Sequence, residues 1–366
     1  MKTMALPKLG MVVAMAAILA VEILMPLPSG AVDPRQVRRI AAKYNITCVL
    51  VFGDSSVDPG NNNRLATTMK SNFPPYGKDF LDGRPTGRFT NGKLATDFIA
   101  EALGFTKAIP AFLDSNLKAA DLLHGVSFAS AASGYDDLTA NLSGVLPVSR
   151  QLEYFMHYKI HLRQLIGEKR AEQVIRNAIV VISMGSNDFL QNYYLEPTRS
   201  QQFNVEEYQN YLVTRMFEDI MEMHKLGVTR LVVVGVPPLG CLPLAKTLMG
   251  QKTCVKAYNQ VAFSLNSKIK EKLGILRDKT GIKDAYVDCF EVILRAVSNP
   301  TQFGLVETAK GCCGSGKVEY GDTCRGLSTC PDASKYLFWD AVHLTQKMYR
   351  IIAEEALKSL SEALLK

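Results

Sequence analysis

Cys48-Val49-Leu50-Val51-Phe52-Gly53 is a short, almost unbroken apolar run, and Asp54-Ser55-Ser56-Val57-Asp58 follows it at once. A run of that length with no polar face, closed by glycine and aspartate, reads as a strand buried on both sides within a parallel sheet. Similar runs recur at wide spacing: Ala178 to Met184, Arg230 to Val236, Ala285 to Cys289, and more weakly Val126 to Ala129. Between them lie amphipathic stretches at Gly92 to Leu103, Ser149 to Arg176, Val205 to Lys225, Val255 to Lys279 and Leu344 to Leu364. Strand alternating with helix predicts a doubly wound α/β sandwich. Asn91 and Asn204 are placed to cap helices beginning at Gly92 and Val205, and Gly104 and Gly227 to stop helices.

In open sheets of this kind, ligands bind outside the carboxyl ends of the strands. Ser55 and Asn187 each fall just past such an end, so two polar residues distant in sequence are predicted to meet in one crevice. A serine hydroxyl is a weak nucleophile until an imidazole takes its proton and a carboxylate orients that imidazole. Among the five histidines, His343 has a carboxylate three residues earlier, at Asp340. Within one helical turn the two side chains face the same way. The plainer alternative is that Asp340 caps the last helix and His343 lies in its first turn. Gly185-Ser186-Asn187-Asp188 follows a strong strand, so the Asn187 amide could donate to a developing oxyanion, or simply form an Asn-Asp turn. Ser133-Gly134-Tyr135 offers a second donor, because glycine lets its backbone N–H approach a ligand closely.

The 366 residues, 47% hydrophobic and 21% charged, suffice for a large core and do not describe a disordered chain. No linker, like-charge block or repeat divides them, so one domain over 46–364 is expected. The net charge of +7 is mild and scattered among acidic and apolar residues, which gives no case for nucleic acid. Lys2 and Lys8, then the apolar Met11 to Ala20, then small and proline-containing residues, match a secretory signal peptide over residues 1–31. A signal anchor competes, but Glu22 leaves the apolar stretch short of a bilayer span, and no later segment reaches that length. A secreted, extracellular protein without a stable membrane span is the expectation.

Eight cysteines agree with an oxidising destination. Cys241 and Cys254 are the favoured pair, since closing a loop of that size stabilises by roughly 3 kcal/mol. Cys312, Cys313, Cys324 and Cys330 are expected to staple a second loop; a zinc site is the alternative, without a C-x-x-C pair to support it. Asn45-Ile46-Thr47 and Asn141-Leu142-Ser143 are sequons for N-glycans at Asn45 and Asn141.

Three patterns point elsewhere and are set aside. Gly311 to Lys317 matches most of a phosphate-binding loop, but Val318 stands where a hydroxyl should ligate Mg²⁺, and no strand is predicted before it. His157 and His161 have helical spacing without the H-E-x-x-H that a metalloprotease needs. The G-x-S-x-G elbow is absent, because Val57 occupies the place of its second glycine. No cofactor or metal is expected.

Taken together the blocks resemble the plant GDSL-type esterase/lipase family of the SGNH hydrolases. The matching runs are Phe52 to Asn63, Gly83 to Gly92, Gly125 to Ser130, Gly185 to Phe189, Pro237 to Pro243 and Asp340 to His343, in the family's order across about 48–355. Ser56 stands in place of the eponymous leucine, Ser127 in place of a frequent asparagine, and Ala131-Ala132-Ser133-Gly134 in place of a run richer in glycine. The resemblance implies a three-layer α/β/α sandwich with a mostly parallel, flavodoxin-like sheet. It also implies metal-independent hydrolysis of carboxylic esters, including acyl lipids, with Ser55 as nucleophile, His343 as general base and Asp340 as orienting acid. Ser55, Gly134 and Asn187 are the implied oxyanion donors. The expected partner is a small-molecule or lipid acyl ester, cleaved through an acyl-enzyme. Two alternatives stay open: transfer of the acyl group to another hydroxyl, and a secreted binding protein that has lost activity.

Overall fold

The computed structural model describes residues 33–363, so the leader expected over 1–31 lies outside the described residues. The main sheet consists of β1 (Val49–Gly53), β2 (Ile179–Ser183), β3 (Arg230–Val234) and β4 (Lys283–Val287), side by side in that order and all parallel. The weak fifth run adds to the outer edge of β1 through bridges at Ser127, with the Val51 N–H donating to the Val126 carbonyl and the Phe128 N–H to that of Val51. Counted with it, the strand order is 2-1-3-4-5, the flavodoxin-like arrangement that the resemblance implied.

The sequence explains why these segments lie inside. Val49, Leu50, Val51 and Phe52 are wholly buried, as are Ile179, Val180, Leu231, Val232 and Val233. Side chains of a strand alternate between faces, so a run without a polar face suits only a sheet covered on both sides, each such side chain contributing roughly 1.5–3 kcal/mol. One cover consists of α1 (Pro34–Lys43), α2 (Ala95–Leu103) and α8 (Gln346–Ala363). The other consists of α3 (Val148–Ile166), with α4 (Glu168–Arg176) against it, α5 (Val205–Lys225) and α6 (Lys256–Thr280). The helix α7 (Cys289–Ser298) follows β4, and a two-stranded parallel sheet pairs β5 (Glu307–Gly311) with β6 (Tyr336–Phe338).

Local chemistry decides the boundaries. Asn204 caps α5 as predicted, accepting from the Glu207 N–H while the Glu207 carboxylate returns to the Asn204 N–H. Asn91 does not cap α2. That helix begins at Ala95, where Asp97 reaches back to the Leu94 N–H, and Asn91 instead donates to Asp79 and accepts from the Gln346 N–H. The stretch from Ser149 to Arg176 is two helices, because Gly167 takes φ of 80° between them. Gly311 does end a strand, contrary to the sequence expectation, but the residues after it are tied into disulfides rather than a phosphate cradle.

Cys241 bonds Cys254 as expected, and the second loop is stapled twice, Cys312 to Cys330 and Cys313 to Cys324. Cys48 and Cys289 are buried free thiols. No described helix is long and apolar enough to cross a membrane. His157 and His161 both lie exposed on α3.

Candidate active site

The turn after β1 is pinned from both sides. Gly53 has φ of 147°, and a Cβ there would collide with the Ser183 carbonyl of the neighbouring strand, so only glycine lets β1 and β2 close at this point. The Gln151 side-chain amide grips Gly53 twice, accepting its N–H and donating to its carbonyl, each at 3.0 Å. Asp54 then continues the ladder with its N–H to the Ser183 carbonyl, and its carboxylate accepts from the Ser56 N–H and Oγ at 2.9 and 2.7 Å. Between these anchors Ser55 projects from the carboxyl edge of the sheet, partly exposed. Burial pushes the Asp54 carboxyl up to about 6, against the pull of the Ser56 hydrogen bonds.

From the other end of the chain, His343 Nε2 lies 2.8 Å from Ser55 Oγ. Its Nδ1 is 2.9 and 2.8 Å from the two oxygens of Asp340. The sequence expectation of a helical turn here is incorrect in its geometry. Asp340 and His343 lie in a tight turn ahead of α8, closed by Asp340 Oδ1 accepting the N–H groups of Val342 and His343 at 2.8 and 2.6 Å. An aspartate that hydrogen-bonds the backbone ahead of it makes such a turn by itself, and this brings its carboxylate under the ring. Asp340 is fully buried and His343 nearly so.

Tyr76 is a contributor that spacing and composition did not signal. Its hydroxyl donates to Asp340 Oδ2 at 2.7 Å and accepts the Gly321 N–H at 2.7 Å. Burial and the adjacent Asp340 charge push its ionisation well above the ordinary tyrosine value, so it stays a donor. Phe89 lies with its ring centroid 4.7 Å from that of His343, and Tyr76, Phe89 and Trp339 pack with Cys312, Cys313 and Cys324 in one apolar cluster. The N–H groups of Cys312 and Cys313 both donate to the Trp339 carbonyl, so the disulfide loop braces the residue before Asp340. Tyr76→Phe is expected to lower kcat about tenfold with KM unchanged, a donor to a buried charged group being worth about 1.5 kcal/mol or more. Steady-state kinetics check this; a change in KM alone would assign Tyr76 to substrate binding. Replacing Cys313 and Cys324 together by alanine is expected to lower stability by about 3 kcal/mol, read as a lower urea midpoint.

Asn187 follows β2 in the short helix Ser186–Phe189 and donates one amide hydrogen to the Ser133 carbonyl at 2.9 Å. Gly134 is elsewhere. Its Cα packs against the Asp188 carboxylate, which accepts the N–H groups of Tyr135 and Asp136 and the Thr139 hydroxyl. Burial pushes the Asp188 carboxyl up to about 7 despite those bonds. A Cβ at 134 would collide with the Asp188 carboxylate, which by itself calls for glycine there. Ser55, Asn187 and His343 share an open cleft of about 280 Å³, and the residues of the 131–134 segment on its wall are Ala131 and Ala132. Ala132 holds φ of 69°, an uncommon conformation for a residue with a side chain. The Ala131 N–H is taken by Asp58 and the Ser133 N–H by Ser130, whereas no described residue takes that of Ala132.

A serine hydroxyl, an imidazole and a buried carboxylate in hydrogen-bonded sequence, with donors beside the hydroxyl, form an arrangement suited to acyl transfer. Residues 49–356 match the model of the GDSL-like lipase/acylhydrolase family. A GDSL esterase/lipase of Arabidopsis thaliana is 55% identical over 356 residues, covering 97% of this chain and 99% of its own. A second from the same plant is 41% identical, covering 85% of this chain and 90% of its own.

Proposed function

The chain belongs to the GDSL-like lipase/acylhydrolase family, and from that premise we propose how its residues divide the work of ester hydrolysis. Ser55 Oγ attacks the ester carbonyl carbon as His343 Nε2 takes its proton, giving a tetrahedral oxyanion. The carbon–oxygen bond to the alcohol then breaks, and His343 returns the proton to the departing oxygen. Water repeats the sequence on the acyl-enzyme: His343 takes its proton, the acid leaves, and Ser55 recovers its hydrogen. Asp340 holds the imidazole in the tautomer that presents a free Nε2 to Ser55. The single observation that carries this reading is the continuous chain Ser55 Oγ, His343, Asp340 at 2.8–2.9 Å.

For the oxyanion we assign the Ser55 backbone N–H and the Asn187 amide, whose second hydrogen is not spent on Ser133. The third donor moves from Gly134 to Ala132, which lines the cleft and whose N–H has no partner among the described residues. A leader over 1–31, a single domain over 46–364 and N-glycans at the exposed Asn45 and Asn141 together make a secreted, extracellular enzyme. Purified mature protein should turn over a short-chain aryl ester, and stoichiometric reaction with an organophosphonate should silence it with the label on Ser55. Turnover that survives full labelling would remove the assignment.

A further inference from the structure

Ser55 opens on a second hollow, which shares Ser55, Asn187, Val342 and His343 with the open cleft and extends between the sheet and the helices α2, α7 and α8. Its volume is about 100 Å³. At the entrance stand polar groups, Ser55, Asn187 and His343 among them; deeper in, the walls are Ile99, Val181, Val232, Ile293, Ile352 and Ala356. Strand register explains this lining. Val181 pairs with Val232, and Ser183 with Val234 one step nearer the catalytic edge, so a period of two puts all four on the same face. Val234 supplies an independent sign that the layer is open here. It sits between β2 and β4 yet is only half-buried, whereas Val233 beside it is fully buried.

We propose that this hollow receives the acyl chain of the substrate and selects short acyl groups, those with about four carbons beyond the carbonyl. The order of events favours the acyl part over the alcohol. The alcohol must leave for solvent before water can attack, which suits the open cleft, while the acyl group stays bonded to Ser55 throughout and can occupy the narrower apolar hollow. The walls are mostly apolar, as an alkyl chain requires; Thr96, Cys289 and Tyr349 interrupt them, and the other polar groups gather beside Ser55, where the ester itself would lie. The size follows from comparison: an apolar cavity of roughly 150 Å³ admits benzene. Each methylene moved from water into such walls contributes about fourfold in kcat/KM, so a pentanoyl ester is preferred to its acetyl counterpart by tens of fold.

The inference rests on Ser55 being the nucleophile, and the test separates the two claims. Aryl esters graded from acetyl to dodecanoyl are assayed with the parent, Ala356→Phe and Ile352→Ala, both changed on the wall of the hollow. Active-site labelling with methyl and butyl phosphonates, the counterparts of the acetyl and pentanoyl groups, is run alongside. Ala356→Phe is expected to lower the pentanoyl-to-acetyl ratio of kcat/KM at least tenfold, and Ile352→Ala to move the optimum to longer chains. Should Ala356→Phe not fold, Ile352→Ala and the parent's labelling rates still decide. Ser55 labelling at equal rates by both phosphonates, with the acyl optimum unmoved in Ile352→Ala, overturns the acyl hollow and leaves the nucleophile standing. No labelling of Ser55 by either reagent overturns both.

Discussion

Ser55→Ala is expected to lower kcat/KM for an aryl ester by about 10⁵-fold or more, with the urea midpoint little changed. The hydroxyl is the only atom removed, and it is partly exposed, so no cavity forms in the core. Gly53, Asp54 and Ser56 hold the turn through Gln151 and Ser183 without help from the Ser55 side chain. His343 keeps its bonds to Asp340, and the oxyanion donors remain. What the variant loses is the covalent route, so residual turnover measures binding and oxyanion stabilisation alone. Kinetics with protein from which trace parent enzyme is excluded check this, and a loss under tenfold would contradict it.

Asp340→Asn is expected to cost about 10⁴-fold in kcat. The replaced carboxylate accepts from Tyr76, from the Val342 and His343 backbone and from His343 Nδ1, and it is fully buried. An amide retains one acceptor oxygen for the turn, so the backbone persists. Its NH₂ group, however, then stands in place of Oδ2 and faces both the Tyr76 hydroxyl and His343 Nδ1. Facing the ring, it donates to Nδ1 and drives the proton to Nε2, the wrong tautomer for accepting from Ser55. The charge that steadies the imidazolium is lost as well. The variant should keep a circular dichroism spectrum like the parent's while kcat falls. A loss confined to KM would place Asp340 outside the chemistry.

The sheet was legible because its strands leave no ambiguity: Val49 to Phe52 and Ile179 to Ile182 are apolar on both faces, and only a doubly covered parallel sheet accommodates that. The pairing of Ser55 with His343 was legible because Ser55 follows a strand end and His343 has a carboxylate at i−3. Features set by tertiary contact were not. Tyr76 meets Asp340 across 264 residues of sequence, and no local pattern announces that contact. The asparagine at 91 looked like a cap, but Asp97 could satisfy the helix end from within, which released Asn91 to bind Asp79 and Gln346. Gly134 was read by its freedom to approach a ligand, when the group approaching it is the Asp188 side chain. Ala132 gave no signal, because its left-handed backbone is imposed by its neighbours rather than by its own residue type.

The central claim is that Ser55 carries the acyl group between the two half-reactions. Rapid acid quench of the enzyme with excess aryl pentanoate, followed by digestion and mass spectrometry, reads this directly. The account predicts a pentanoyl adduct on the peptide containing Ser55, localised to that residue and absent in Ser55→Ala. An adduct on another residue, formed at the rate of turnover, would contradict it.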